Sequence, residues 1–416
     1  MVATPTAPTL TTTPPTPDPE AALARCVGDV STFLARQFTV EPVLSSAGAF
    51  DDLLSLADVD RQLTGGGLRR PAIRLIQDGT PIDPAAWTKP ARTGSTRLDD
   101  VVDPGPTLER FASGATIVLQ SLHRWWPPLG RFCRDLELVL GHATQANAYL
   151  TPAGAAGLAP HHDTHDVFVL QVAGTKHWDL REPLVEAPLP RHRSDHASAA
   201  ALPVVRQIDL APGDCLYLPR GFIHSATAQQ AVSLHLTIGV LTTTAHDVLR
   251  RLVERAGEVP TFRRTLPPGV TTGDDGERVV HEVVSQLQEW LRTVDAGEVA
   301  GELRDRFWAG RRPLLDGQLL ELATLAALDD DSVLRRRDGS TCDVVDDAEG
   351  DGIVLTLGDR RLHLPAGLEP VLRRLLDGAP HRVGALADAL DGPSRLVLAR
   401  RLVREGVLRR VDDRGP

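Results

Sequence analysis

Two imidazoles and one carboxylate set the tightest constraint on this chain. The stretch PHHDTHDVFVLQVAGTKHW, residues 160–178, places His161 and Asp163 two positions apart. In a β-strand, residues i and i+2 point to the same side, so this pair can grip one metal ion while His162 faces the other way. A third ligand must come from elsewhere in the fold. The segment GDCLYLPRGFIHSA supplies His224, 63 residues after His161, at the end of a strand and after a Pro-Arg-Gly turn. Two imidazoles and a carboxylate on one face leave other coordination positions open. That is the donor set of a non-heme Fe(II) facial triad, which accepts a co-substrate and O2 side by side.

With 14 histidines in the chain, a lone H-x-D pair is a weak signal, and the second segment is what strengthens it. His162 and His165 are rival ligands, but periodicity puts both on the side away from the metal. His235, inside VSLHLTIGV, is a candidate for the layer that supports the ligands; the plainer reading is a hydrogen-bonded core histidine.

The surroundings fit a β-rich site. Short runs NAYLTP, HDVFVLQVAG, KHWDL, DCLYLP and VSLHLTIGV, spread over residues 140–240, are separated by Gly and Pro. They have strand length and are rich in β-branched and aromatic residues. Such a series predicts an antiparallel sandwich or barrel. Upstream, from about residue 20, the pattern is mixed: VGDVSTFLARQF reads as a helix and PAIRLIQDG as a strand running into a turn.

After Thr244 the chain turns helical. AHDVLRRLVERAG puts Val248, Leu249, Leu252 and Val253 on one stripe, and GERVVHEVVSQLQEWLRTV does so with Val280, Val283, Val284, Leu287 and Leu291. This is a candidate dimerisation module, with plain intramolecular packing as the alternative. In the last hundred residues GIVLTLGDRRLHLP predicts a hairpin with Gly358-Asp359 at its turn. LEPVLRRLLDG, VGALADAL and SRLVLARRLVREGVL predict three short helices, and a strand-like VLRRV follows. A hairpin with three helices suggests a winged-helix unit. Arg395, Arg400, Arg401 and Arg404 on the last helix could mimic a DNA-recognition helix. Asp377, Asp388 and Asp391 lie close by, so a solvated charged face is the preferred reading.

The domain expectation is therefore a disordered Pro/Thr-rich tail (1–19), a catalytic domain (20–244), a helical domain (245–315) and a winged-helix-like domain (316–416). The fold class is α+β. With a net charge of −10, nucleic acid is not an expected partner, whereas a basic protein or peptide is compatible. No run approaches the ~20 apolar residues of a membrane span, and the N-terminus lacks the basic start and apolar run of a secretory signal. Cys26, Cys133, Cys215 and Cys342 are scattered without metal or disulfide spacing. Free thiols and a cytoplasmic location are the expectation.

Residues 147–178, NAYLTPAGAAGLAPHHDTHDVFVLQVAGTKHW, resemble the ribosomal oxygenases, a branch of the JmjC oxygenases that contains protein hydroxylases. GDCLYLPRGFIHSA and VSLHLTIGV extend the match in the same order, and the helical and C-terminal parts match that family's layout. The resemblance implies a double-stranded β-helix (jelly-roll, cupin-type) core, Fe(II), 2-oxoglutarate as co-substrate and a homodimer. It places the iron ligands on His161, Asp163 and His224, and the basic partner of the distal 2-oxoglutarate carboxylate on Lys176. A buried carboxylate needs such a cation. Asn147, Tyr149 and Thr237 match positions lining the co-substrate pocket.

The implied activity is hydroxylation of an unactivated C–H in a protein or peptide, such as His or Arg of a ribosomal protein. Alternatives are tailoring of a peptide natural product or metabolite, lysine demethylation by the same chemistry, and a non-catalytic cupin acting as a regulatory protein. No Cys/His cluster for a histone-reading zinc module is present. The PLPRHRSDHAS stretch, residues 188–198, reads as a solvated loop near the barrel mouth.

Overall fold

The computed structural model describes residues 19–411 apart from 341, 348, 349 and 359. Residues 1–18 of the expected tail lie outside the described residues. Pro19, assigned to that tail, instead opens the helix Pro19–Val27. Two compact units emerge. One runs to Leu241 and resumes over Pro313–Leu357 and from Arg361 onward; the other is Thr242–Arg312 with Gly358–Arg360.

Up to Leu241, the described residues of the first unit form thirteen strands: β1 (Val43–Ser45), β2 (Ile73–Gln77), β3 (Thr80–Pro81), β4 (Thr88–Thr93), β5 (Thr96–Val102), β6 (Thr116–Leu119), β7 (Ala143–Thr151), β8 (Asp166–Ala173), β9 (Lys176–Arg181), β10 (Arg206–Leu210), β11 (Cys215–Leu218), β12 (Ile223–Ala228) and β13 (Ser233–Leu241). Eight form one sheet in the order β1-β11-β8-β13-β7-β6-β2-β3, and β10-β9-β12 form a second. Val167, Val169, Leu216 and Leu218 of the large sheet pack on Trp178, Leu180, Ile208 and Leu210 of the small one, so the sheets face each other. The opposite face of the large sheet carries Ala146, Ala148, Phe168, Leu170, Tyr217, Leu236 and Ile238. It is closed by Leu23 and Cys26 of the first helix and by Leu129, Phe132 and Leu136 of the helix Pro127–Leu140.

Local sequence explains these faces. In β7 alternate residues are buried in the helix-covered core and half-buried on the inner side, as a period of two requires. β8, the central strand with seven of its eight residues buried, reads as an unbroken apolar run because both faces are covered.

The segment predicted helical at VGDVSTFLARQF divides. Gly28, at φ 75°, separates the first helix from the short helix Val30–Thr32, and a π-helical turn Phe33–Gln37 follows. That turn aims Phe33 at Tyr217 and Phe168, with ring centroids 4.9 Å and 5.9 Å away. The four cysteines are free thiols, three of them buried.

Two three-stranded sheets occupy the C-terminal part of this unit. Val333–Arg336 lies between His381–Arg382 and Leu408–Arg410. Gly352–Leu357 lies between Cys342–Asp346 and Arg360–Pro365; the expected tip residue Asp359 is outside the described residues. Helices Gln318–Ala323, Glu369–Leu375 and Gly392–Arg404 pack there. VGALADAL is a 3-10 run, Val383–Asp388, rather than an α-helix. Arg395 pairs with Asp330 at 2.5 Å, and Arg400 donates to the Leu328 carbonyl at 2.8 Å. Two of the four arginines on the last helix are thus committed within the fold.

The second unit contains the helices Ala245–Ala256, Gly276–Leu291 and Ala296–Ala309. Thr244 and Asp247 close a capping box at the first, and Arg251 and Arg255 bridge it to Glu302 and Glu298 of the third. Of the apolar stripes, Leu249, Val253 and Val280 stay exposed, at 60%, 66% and 59%. Among the described residues no helix is long and apolar enough to cross a membrane.

Candidate metal centre

His161 and His224 meet because their backbones pair. The Gly/Ala-rich segment before His161 runs antiparallel to β12: Gly157 N–H donates to Ala226 O at 3.0 Å, and Ala228 N–H to Ala155 O at 3.0 Å. This ladder ends with His161 and His224 exchanging both of their hydrogen bonds, at 3.1 and 2.8 Å. Directly opposed residues put their side chains on one face, and the two imidazoles stand 4.5 Å apart. His161 and Asp163 therefore lie in an extended bridged segment rather than in a regular strand. His224 is the second residue of a new strand rather than the end of one. The i, i+2 relation holds because the backbone is extended.

Asp163 completes the group. His161, Asp163 and His224 each bring one ligand atom within 4.8 Å of the others, with His224 Nε2 3.7 Å from Asp163 Oδ2. Asp163 is placed by its own backbone, whose carbonyl accepts the Gly221 N–H at 3.0 Å. The turn before His224 is pinned further by Asp166, which accepts the Arg220 N–H at 3.0 Å and the Tyr217 hydroxyl at 2.8 Å. Gly221 has φ 94°, and a Cβ there would meet the Val185 carbonyl at 2.8 Å, so the turn needs glycine.

The protonation states suit a metal. The ring Nδ1 of His161 lies 2.8 Å from the Ala159 carbonyl, and that of His224 lies 3.1 Å from the Phe222 carbonyl. A carbonyl only accepts, so each Nδ1 carries the proton and each Nε2 keeps its lone pair for a ligand. Burial, with His224 alongside, pulls the His161 pKa down to about 4, which keeps it neutral near pH 7. Burial alone would raise the Asp163 pKa, but the surrounding imidazoles, His224 foremost, outweigh it and hold the carboxyl below its usual range.

Lys176 opens β9 and is 1% exposed. Its Nζ donates to Thr151 Oγ1 at 3.0 Å, and burial lowers its pKa to about 7. The tight turn before it depends on Gly174, at φ 64°, where a Cβ would fall 2.1 Å from the Val232 carbonyl. Beside the ammonium, Gly157 leaves open the place where a Cβ would stand 3.8 Å from Nζ. A buried ammonium with a hydroxyl partner and adjacent space fits the carboxylate of a dicarboxylic acid.

Asn147, Tyr149 and Thr237 all lie on the half-buried inner side, with Thr237 opposite Asn147 in the β13–β7 register. The Asn147 Oδ1 accepts the Ser121 N–H at 3.0 Å, so its oxygen already holds a neighbouring loop. Tyr149 stacks on His235, with centroids 4.9 Å apart and planes 3° from parallel. His235 also meets Trp178 edge-on at 5.5 Å, and Trp178 lies 5.9 Å from His224. His235 Nδ1 is buried without a hydrogen-bond partner.

Of the rival ligands, His162 points to the His192 carbonyl at 3.0 Å, and His165 lies 3.2 Å from Gln145. The 188–198 loop is tied down rather than merely solvated: Ser194 accepts the His162 N–H at 3.1 Å, and His196 Nδ1 lies 3.0 Å from the Pro160 carbonyl. Sequence reasoning passed over Arg74, which register places on this inner face. A lone charged residue in the apolar strand IRLIQ was the available signal.

Residues 126–248 match the JmjC domain family. This segment is a JmjC domain, with mixed helix and sheet in the JmjC/cupin manner, and it contains His161, Asp163, Lys176 and His224. It is similar to parts of proteins named ribosomal oxygenase and histidyl-hydroxylase. Ribosomal oxygenase 2 of Bos taurus is 42% identical over 126 residues, covering 30% of this chain and 27% of that protein. The Drosophila pseudoobscura pseudoobscura protein named bifunctional lysine-specific demethylase and histidyl-hydroxylase NO66 is 31% identical over 214 residues, covering 50% of this chain and 22% of that one. The matches thus span about a quarter of the length of these curated relatives. Among solved structures, Escherichia coli YcfD, a ribosomal oxygenase in complex with cobalt and 2-oxoglutarate, gives a TM-score of 0.53 at 18% identity. It covers 91% of this chain and 97% of that one, a likeness of fold.

Proposed function

We propose that this protein is an Fe(II)- and 2-oxoglutarate-dependent oxygenase that hydroxylates a side chain of a protein or peptide. The observation that carries this reading is the pairing of a two-histidine, one-carboxylate group with a buried ammonium that has no acidic partner among the described residues. Iron(II) held there supplies the oxygen chemistry, coupling 2-oxoglutarate decarboxylation to succinate with insertion of one oxygen atom into a C–H bond.

The chain's own residues do the rest. Nε2 of His161 and of His224, with the Asp163 carboxylate, hold the metal, and the Ala159 and Phe222 carbonyls fix both rings in the ligating tautomer. Lys176 binds the distal carboxylate of 2-oxoglutarate, while Asn147, Tyr149 and Thr237 line its pocket. Trp178 and the apolar side chains between the sheets keep bulk water from the reacting atoms.

The two facing sheets are read as the double-stranded β-helix, with residues 20–244 as the catalytic domain. The 245–315 segment is read as the dimerisation domain of a cytoplasmic homodimer, a role supported by the exposed Leu249, Val253 and Val280. Residues 316–416 are read as a winged-helix-like domain, without a nucleic-acid partner because Arg395 and Arg400 are committed within it. The relatives' names support a histidine of a ribosomal protein as target. The test is incubation of purified protein with Fe(II), 2-oxoglutarate and a ribosomal protein extract, scored for succinate and for +16 Da peptides. An inactive Asp163→Ala control supports the reading; iron-independent succinate, or none, sinks it.

A further inference from the structure

Arg74 stands in a row that crosses the inner face. In register it is opposite Val118, Val118 is opposite Tyr149, and Tyr149 is opposite His235. Opposed residues share a face, so Arg74 lies on the side of the sheet that bears the inner ring stack. Its neighbours Ile73 and Leu75 point the other way, into the helix-covered core. The Arg74 side chain is half-buried and sits beside the Tyr149 hydroxyl. Its Nε is buried with no hydrogen-bond partner.

Charge on this face is unbalanced. Lys176 and Arg74 are its basic side chains, and the Asp163 carboxylate acts on the same Tyr149 hydroxyl that Arg74 does. Under the oxygenase reading Asp163 is taken by the metal and Lys176 by the distal carboxylate of the co-substrate. Among the described residues Arg74 is then left without a counter-ion. A partly desolvated guanidinium recovers its lost hydration when a carboxylate reaches it, in short charge-assisted hydrogen bonds. It repels another cation brought to the same place. Ala72, at the bend before β2, packs instead against the helix-covered core and lines a separate cavity with Leu68, Arg69 and Trp125.

We propose that Arg74 is a specificity-determining residue, and that the substrate is a peptide segment with an aspartate or glutamate close to a non-cationic target residue, which disfavours arginine and lysine as the residue oxidised. This rests on the oxygenase reading and sharpens it.

The test uses the full chain loaded with Mn(II) and 2-oxoglutarate. Each load is first measured by its own binding titration. Blocked tetrapeptides Ac-Gly-His-Asp-Gly-NH2, and the same peptide with Asn or Lys in place of Asp, are then titrated by ligand-observed NMR. The Asp peptide is expected to bind about tenfold tighter than the Asn peptide, the size of one charge-assisted hydrogen bond. Arg74→Gln levels the two, Arg74→Glu reverses the order in favour of the Lys peptide, and Arg74→Lys keeps most of the preference. Equal or absent binding of the Asp peptide by the native protein overturns the proposal. So does a preference that survives Arg74→Glu, or an Arg74→Gln variant that loses 2-oxoglutarate affinity while its peptide preference stays. Failure of the native protein to bind Mn(II) and 2-oxoglutarate removes the oxygenase reading itself, and this inference with it.

Discussion

Along β7, Ala146, Ala148 and Leu150 enter the helix-covered core, while Asn147, Tyr149 and Thr151 face the other sheet. One strand, read on alternate residues, thus serves two different environments. The outer face is closed by Phe33, Phe168, Tyr217 and the helices, and its polar atoms are paired, as in Tyr217 to Asp166. The inner face collects groups in want of partners, His235 Nδ1, Gln171 Oε1, Trp178 Nε1 and Arg74 Nε, beside a Lys176 ammonium held by one neutral hydroxyl. Unpaired buried groups cost stability. Their concentration on one side indicates that the outer face holds the fold while the inner face waits for ligands.

Four experiments break or sharpen that contrast. Asp163→Ala is expected to lower 2-oxoglutarate turnover by more than the ~10–100-fold typical of losing an outer-shell partner, while the melting temperature of the metal-free protein barely moves. A large drop in melting temperature would make this carboxylate part of the scaffold. Phe168→Ala, on the outer face, is expected to lose about 3–5 kcal/mol in urea unfolding, with Mn(II) affinity of the folded fraction intact. Loss of metal binding in folded protein would mean that the two faces are not separable.

Lys176→Met is expected to raise the 2-oxoglutarate KM on the order of a hundredfold. It also tests the sign of a pH effect. The lysine pKa is about 7 in the fold against an ordinary 10.5, so between those values the unfolded chain holds more protons. The ligand-free protein should then gain stability as pH rises from about 7 toward 10.5, with the burial penalty fully present below 7. Urea midpoints at several pH values should show that rise in the native protein and lose it in Lys176→Met; parallel curves refute it. The smallest effect belongs to Thr151→Val, which removes one neutral acceptor from Lys176 and should cost about 0.5–1.5 kcal/mol of 2-oxoglutarate affinity.

Much of the site was legible because it follows a local rule. His161 and Asp163 share a side in any extended backbone, and Lys176 directly follows an apolar strand. The strands at NAYLTP, HDVFVLQVAG, KHWDL, DCLYLP and VSLHLTIGV all form. What stayed hidden depends on pairing between distant segments. β10 lacks a strong apolar pattern, with Arg206, Gln207 and Asp209 exposed. The ligand-bearing segment is too rich in Gly and Ala to read as a strand, and β12 holds it straight. Arg74 joins the inner face through β6 and β7, a register that no local pattern encodes. The π-turn at Phe33–Gln37 is likewise set by packing, since its phenylalanine is aimed at Tyr217 and Phe168.

His161 and His224 are each other's backbone partners as well as neighbours at the metal. A one-residue slip between their segments would swing both rings out of place together, so the centre exists whole or not at all. A cation seated there would act as a rivet through the small sheet's open margin. Amide exchange at 154–163 and 223–228 would then slow in step on loading, and a deuterium trace of those two stretches would read occupancy without any turnover.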